Sequence, residues 1–261
     1  MSPDVTSPNV TSPNAMSSDA ASLRELFGGP RPVVLPSAWD AGSARAARRA
    51  GAAAIAVHGP AVAWSLGHVD GEPAPYAQLV AACERIRAAV DVPVMIDLSA
   101  TSSVPAEQRR DAMRALMEIG VAGLTIADDE HAIDLLARRD DAPAFIEVRL
   151  TAASRARIDE TAQRAQSFVT AGADGVLLPS REMPTVVRVA REIRAPVSVD
   201  AGDGWAPPVS GLARIGVRGI RLGDGPFRIA RGLIAAVTTE ALHRGTYALL
   251  SRTLGDTRET R

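Results

Sequence analysis

The chain has 261 residues, 46% of them hydrophobic and 23% charged, with a formal net charge of -1. That length and composition admit one large core, and the missing basic excess excludes a phosphate-backbone binder, so nucleic acid is not expected as a partner. No apolar run reaches the ~20 residues that span a bilayer and no basic-then-apolar leader opens the chain, so no membrane partner and a cytoplasmic location are expected.

All 29 Lys and Arg positions are arginine. Without a lysine amine, Schiff-base and pyridoxal-phosphate chemistry is excluded, and so is a Walker-type phosphate loop. A single cysteine, Cys83, lies in the helical pattern AQLVAACERIRAAV. It permits no intrachain disulfide or two-cysteine metal site and reads as a small buried hydrophobe.

Residues 1–20 repeat TSPN and are too polar to offset their ordering entropy, so a disordered tail is expected there, followed by one domain over 21–261. From Pro32 the chain alternates apolar runs with longer helical stretches. Strands are predicted at 33–37, 54–59, 93–99, 123–128, 144–150, 175–180, 196–201 and 219–224. Helices are predicted near 41–51, 76–90, 106–119, 131–139, 157–171, 183–193, 207–215 and 226–245. Eight strand-helix cycles predict an α/β fold, a parallel eight-stranded (β/α)8 TIM barrel.

In such barrels the chemistry gathers at the C-terminal strand ends. The polar residues there are Ser37, Trp39, Asp40, His58, Asp97, Ser99, Asp128, Asp129, Glu147, Arg149, Ser180, Asp200, Arg221 and Asp224, with Asp70 in the loop SLGHVDG. Strand alternation makes Asp97 and Ser99 share a face, as do Glu147 and Arg149, so both pairs can point inward. Carboxylates converging with one arginine suit a hydrated Mg²⁺ beside an anion clamp, while Asp40 reads equally as a helix N-cap. His58, closing an apolar strand, is a candidate acid, base or donor, whereas His68, His131 and His243 read as surface or loop residues. The glycines of 200–205 and 221–226 read as turn formers, because each segment carries an Asp that would repel phosphate.

The segment LPSAWDAGSARAARRAGAAAIAVHGPAVAWSLGHVDGE, followed by PVMID, FIEVR, AGADGVLLP and the helical end RGLIAAVTTEALHRGTYALL, resembles the isocitrate lyase and phosphoenolpyruvate mutase superfamily over residues 32–250. The resemblance implies a barrel whose C-terminal helix swaps between subunits of a homo-oligomer, dimer or tetramer. It implies a Mg²⁺ cofactor and a small 2-oxo or 2-hydroxy carboxylate substrate that passes through an enolate, in a carbon–carbon lyase or hydrolase. It assigns Asp97, Asp70 and Asp128 to the metal and Arg149 to substrate; Trp39 and Gly59 are further candidate substrate contacts, and His58 and Glu147, which stand where the family carries other residues, are the candidate catalytic groups. The chain departs from the family at Ser99 and Ala127, where acidic metal partners are replaced. It departs again at residues 100–108, which replace a Gly-Tyr-Gly-like stretch, and in lacking the gating-loop cysteine, which excludes a lyase using that thiol as acid. Glu147 stands where asparagine is common, and Asp129 is a candidate substitute for the lost glutamate. A metal-independent acid–base enzyme of specialised metabolism and a non-catalytic ligand-binding homologue are the alternatives.

Overall fold

The computed structural model describes residues 13–69, 72–99, 104–129, 131–137, 144–150, 157–179, 183–204 and 206–252. In chain order these form α1 (Pro13–Gly28), β1 (Val33–Leu35), β2 (Ser37–Ala38), α2 (Ala41–Arg49), β3 (Ile55–His58), α3 (Gly59–Ser65), α4 (Tyr76–Arg87), β4 (Val94–Asp97) and α5 (Ala106–Glu118). Then follow β5 (Gly123–Ala127), α6 (Ala132–Ala137), β6 (Phe145–Arg149), α7 (Ile158–Thr170), β7 (Gly175–Pro179), α8 (Met183–Glu192), β8 (Val197–Asp200), α9 (Val209–Arg214), β9 (Val217–Arg221) and α10 (Gly225–Arg244).

Every strand pairing is parallel, and the order runs from β2 through β9 to β1. β1 and β2 are the halves of one predicted strand, divided at Pro36, which has no N–H to give to a ladder. β1 pairs with β9 and β2 with β3, so this broken strand joins the two edges and closes the predicted eight-stranded barrel. The carbonyl of Leu35 accepts from Leu222 on one side (3.3 Å) and that of Pro36 from Ala56 on the other (3.0 Å).

Side chains alternate across the barrel wall. Ile96, Leu124, Ile126, Ile146, Val148, Val176, Leu178, Val199 and Ile220 face the helices and build the main apolar core. Cys83 of α4 is fully buried there, as the sequence suggests, and burial pushes its thiol pKa up.

The opposite faces fill the barrel, and its N-terminal end is stoppered by α1. Leu23 and Phe27 are fully buried against Val33, Leu35, Ala56, Met95 and Phe145, and Phe27 stacks on Phe145 at 4.6 Å. Room for the stopper comes from absent side chains: a Cβ on Gly123 would lie 2.8 Å from Leu23, and one on Gly219 would lie 2.5 Å from the Phe27 ring. Arg24 fixes the helix to the rim, bonding Asp174 at 3.1 Å and the Ala144 carbonyl at 3.1 Å. The tail expected over 1–20 is therefore corrected: helix begins at Pro13, and residues 1–12 lie outside the described part of the chain. No helix among the described residues is long and apolar enough to cross a membrane.

Candidate active site

Strand ends β3, β4, β6 and β8 bring His58, Asp97, Arg149 and Asp200 together at the C-terminal mouth. Arg149, the last residue of β6, spans it. Its Nη2 donates to Asp97 Oδ2 at 2.5 Å and its Nη1 to Asp200 Oδ2 at 3.1 Å, while its buried Nε has no partner among the described residues. Asp97, buried at 7% exposure, accepts through Oδ1 from the Ser99 N–H (2.9 Å) and hydroxyl (2.6 Å). Burial opposes ionisation of Asp97, but Arg149, then His58 and the Ser99 hydroxyl, outweigh it and hold the carboxyl far below the usual range. Burial likewise opposes the charge on Arg149, and Asp97 and Asp200 more than restore it. Ser99, which cost the expected site a carboxylate, orients the one that remains.

His58 pairs in register with Asp97. Its Nδ1 accepts from the Ala61 N–H at 3.3 Å, making it the N-cap of α3, whose first two residues are Gly59 and Pro60. An accepting Nδ1 leaves the ring proton on Nε2. Burial is the main cause that lowers the His58 pKa; Arg149 adds to it, while Asp97, Asp200 and Asp224 act in the opposite sense. The lowered pKa favours the neutral imidazole, with Nε2 as its donor. Gly59 is small because a Cβ there would sit 3.0 Å from the Asp97 carbonyl oxygen, so its role is close approach of β3 to β4.

On the same rim, half-buried Trp39 meets Phe227 edge-on at 5.0 Å, and Trp64 stacks on Phe227 at 5.6 Å. Neither Trp64 nor Phe227 is a strand-end polar residue, which is why the sequence reading missed them. Asp40 is an N-cap as read, accepting from the Ser43 N–H at 2.6 Å. Gly223 adopts φ +48°, and a Cβ there would come within 2.6 Å of Asp200 Oδ1, so only glycine leaves that carboxylate its place.

Three expected site residues are elsewhere. Glu147 is fully buried one layer below Arg149, where its Oε2 accepts from Arg221 Nη2 at 2.5 Å and from the Thr125 hydroxyl at 3.2 Å. Asp128 follows inward-facing Ala127 and so turns to the helix layer, where Arg164 Nη2 donates to its carboxylate at 2.6 Å. Asp129 does not replace the lost glutamate, because Arg109 of α5 holds it at 2.5 Å. Asp70 and Ser180 lie outside the described residues. His68 is off the site, its Nε2 2.9 Å from Gln78 Oε1.

The donor set therefore does not fit the magnesium cage that the resemblance implies. Asp97 alone of the assigned ligands stands at the mouth among the described residues, and a guanidinium bridges it to Asp200. Among those residues no group of three or more His, Cys, Asp or Glu is arranged to hold a metal ion.

Comparison with known proteins agrees with the architecture. The family model for phosphoenolpyruvate phosphomutase matches residues 23–242. The uncharacterized protein Rv1998c of Mycobacterium tuberculosis (strain ATCC 25618 / H37Rv) is 29% identical over 219 residues, 78% of this chain and 82% of its own. The crystal structure of a candidate lyase/mutase from Burkholderia cenocepacia J2315 superposes with TM-score 0.81 at 25% identity, covering 91% of this chain and 92% of that one. A phosphonopyruvate hydrolase solved with oxalate and Mg²⁺ superposes with TM-score 0.76 over 92% of this chain and 96% of its own, but at 17% identity it shares the fold alone. Solved members of the superfamily include mutases, lyases and hydrolases of small carboxylates. With a (β/α)8 barrel closed through Pro36 and a family model spanning most of its length, this chain belongs to the phosphoenolpyruvate phosphomutase family.

Proposed function

We propose that the protein is a lyase or hydrolase that cleaves a carbon–carbon bond in a small 2-oxo or 2-hydroxy carboxylate, using Arg149 and neutral His58 in place of a carboxylate-held metal. The observation that carries this reading is the Arg149 guanidinium bridging Asp97 and Asp200 at the mouth, where His58 pairs in register with Asp97. Arginine has five N–H donors in a planar fork. One hydrogen each of Nη1 and Nη2 is spent on the aspartates and the Nε hydrogen is buried, so the second hydrogens of Nη1 and Nη2 remain for a substrate carboxylate or carbonyl oxygen.

In a 2-hydroxy substrate, or a 2-oxo substrate to whose carbonyl water has added, Asp200 takes the hydroxyl proton, and that C–O becomes a carbonyl as the adjacent carbon–carbon bond breaks. The bond's electron pair passes into the carbonyl group of the departing fragment, whose oxygen carries the enolate charge, and the enolate carbon takes the proton back. Donors fixed beforehand at that oxygen act without reorganising, and each is worth about 10²–10³ in rate. Arg149 and the His58 Nε2–H supply them. Asp97, held so far down in pKa, is a poor proton acceptor and serves to orient Arg149, leaving Asp200 as the base at the mouth. Trp39, Trp64 and Phe227 form an apolar wall that excludes water from one side.

A second reading rests on a specific observation: Asp97, the principal carboxylate, is retained and faces the mouth. A hydrated Mg²⁺ needs only one or two protein carboxylates together with substrate oxygens. That reading requires Arg149 to leave the bridge between Asp97 and Asp200, which it occupies here.

We also propose a cytoplasmic homo-oligomer. Ile229 (72% exposed), Ile234 (67%) and Leu242 (75%) on α10, with Tyr247 (63%) beyond it, leave an apolar surface for a second copy.

The test is a screen of 2-oxo and 2-hydroxy carboxylates for release of a smaller oxo acid, run with chelator and with added Mg²⁺. Turnover in chelator that falls about 100-fold in kcat/KM in Arg149→Met is expected. Turnover that needs Mg²⁺ and vanishes in Asp97→Asn would establish the second reading instead.

A further inference from the structure

Glu147 and Arg149 are alternate residues of β6 and face the same way into the barrel, about 6–7 Å apart along the strand. Both are short of a partner among the described residues: Glu147 Oε1 and Arg149 Nε are buried without one. An unmatched acceptor and an unmatched donor thus lie on adjacent inward positions, yet the guanidinium turns up to Asp97 and Asp200 instead of down to Glu147. What meets the Glu147 charge is Arg221, which reaches across from β9. Arg221 is itself fixed, its Nη2 also contacting the Thr125 hydroxyl at 2.8 Å and Met95 Sδ at 3.0 Å, and it is only 3% exposed. Three carboxylates, Glu147, Asp97 and Asp200, therefore share two arginines, and the arrangement found is one deep pair below one bridge at the mouth.

We infer that Arg221 is a positioning residue: by holding Glu147 it keeps the Arg149 fork at the barrel mouth, where a substrate carboxylate meets it. The inference rests on the reading that Arg149 receives the anion. A fully buried carboxylate left without its cation is costly, and the nearest cation able to relieve it is Arg149. Once drawn down, Arg149 would leave Asp97 and Asp200 facing an incoming anion unmasked. The two-part charge arrangement also explains how this chain carries glutamate inside the barrel beneath the anion site: the charge is cancelled by Arg221 from across the barrel.

The experiment uses oxalate as the probe on the full chain, titrated by calorimetry into wild type, Arg221→Met, Glu147→Gln/Arg221→Met and Arg221→Lys, with an unliganded crystal structure of Arg221→Met. Groups within one charge network couple strongly enough that Arg221→Met should weaken oxalate at least about tenfold. The double variant, with no buried charge to recruit Arg149, should return to within about threefold of wild type, as should Arg221→Lys. In the crystal, Arg149 should lie on Glu147. If Arg221→Met does not fold, Arg221→Gln, which keeps a polar contact while removing the charge, carries the same expectation. Wild-type affinity in the single variant, or equal weakness in the single and double variants, would overturn the inference and leave the pair a structural one. Absence of oxalate binding in wild type would count against the functional reading alone, since the position of Arg149 in the crystal still decides the role of Arg221.

Discussion

At the scale of single residues, the outcome at strand β5 shows how far alternation carries. It makes Ala127 inward, so Asp128 must face the helices, and the same rule that pairs Asp97 with Ser99 in the sequence already contains this. What the sequence does not hold is the partner: nothing near Asp128 or Asp129 in the chain announces Arg164 or Arg109, which arrive from α7 and α5. Glu147 is legible as inward-facing, but its depth depends on Arg221 from a strand more than seventy positions away.

His58 gives the sharpest prediction at this scale. Its pKa is lowered in the folded state mainly by burial, so the unfolded chain takes up the proton first as pH falls below the ordinary value of 6.5, and stability drops in that window. Asp97 adds a second loss below its ordinary 3.8, since its folded pKa is depressed and the stability it contributes is present only above that range. His58→Asn, which keeps an N-cap, should remove the upper loss and leave the lower one. His58→Ala should cost a further ~1 kcal/mol through loss of the cap. Urea unfolding midpoints between pH 3 and 8 measure both, and an unchanged upper loss in His58→Asn would refute the assignment to this group.

At the scale of elements, strands and helices were largely readable because the apolar runs recur with glycine-marked junctions, and the predicted strands all appear. Their C-terminal ends are predicted too long: 93–99 is predicted and β4 is Val94–Asp97, because the terminal residues make the mouth. Two helices escaped. α3 was hidden because its start, His58-Gly59-Pro60, looks like a turn, and its cap is an imidazole rather than Ser, Thr, Asp or Asn. α1 was hidden because a polar composition described the tail as a whole, although Leu23 and Phe27 stand four apart and so share a helix face. Their burial makes α1 part of the core, so Phe27→Ala should destabilise the protein by about 3–5 kcal/mol, read from urea unfolding. A loss below ~1 kcal/mol would mean that the stopper is dispensable.

At the scale of the whole molecule, the closed barrel separates two ends with different work. The N-terminal end is apolar and stoppered, and the C-terminal end carries the charged residues, with the Glu147–Arg221 pair as the floor between them. Closure through Pro36 brings β3 and β9, and with them His58 and Asp224, to one rim. The exposed apolar residues of α10 belong to this scale too. Replacing Ile234 and Leu242 by arginine should shift the protein toward the 27.3 kDa monomer in light scattering, and an unchanged mass would exclude this surface as the contact. The family fixes the barrel, but the reaction depends on the few side chains at its mouth.

The claim that matters most is that Arg149 at this mouth takes a small carboxylate without a carboxylate-held metal. The direct measurement is calorimetric titration of chelator-treated protein with oxalate, in parallel with Arg149→Met and with added Mg²⁺. Binding in chelator that is lost in Arg149→Met and little changed by Mg²⁺ is the predicted result. Binding that appears only with Mg²⁺ and is lost in Asp97→Asn would contradict it.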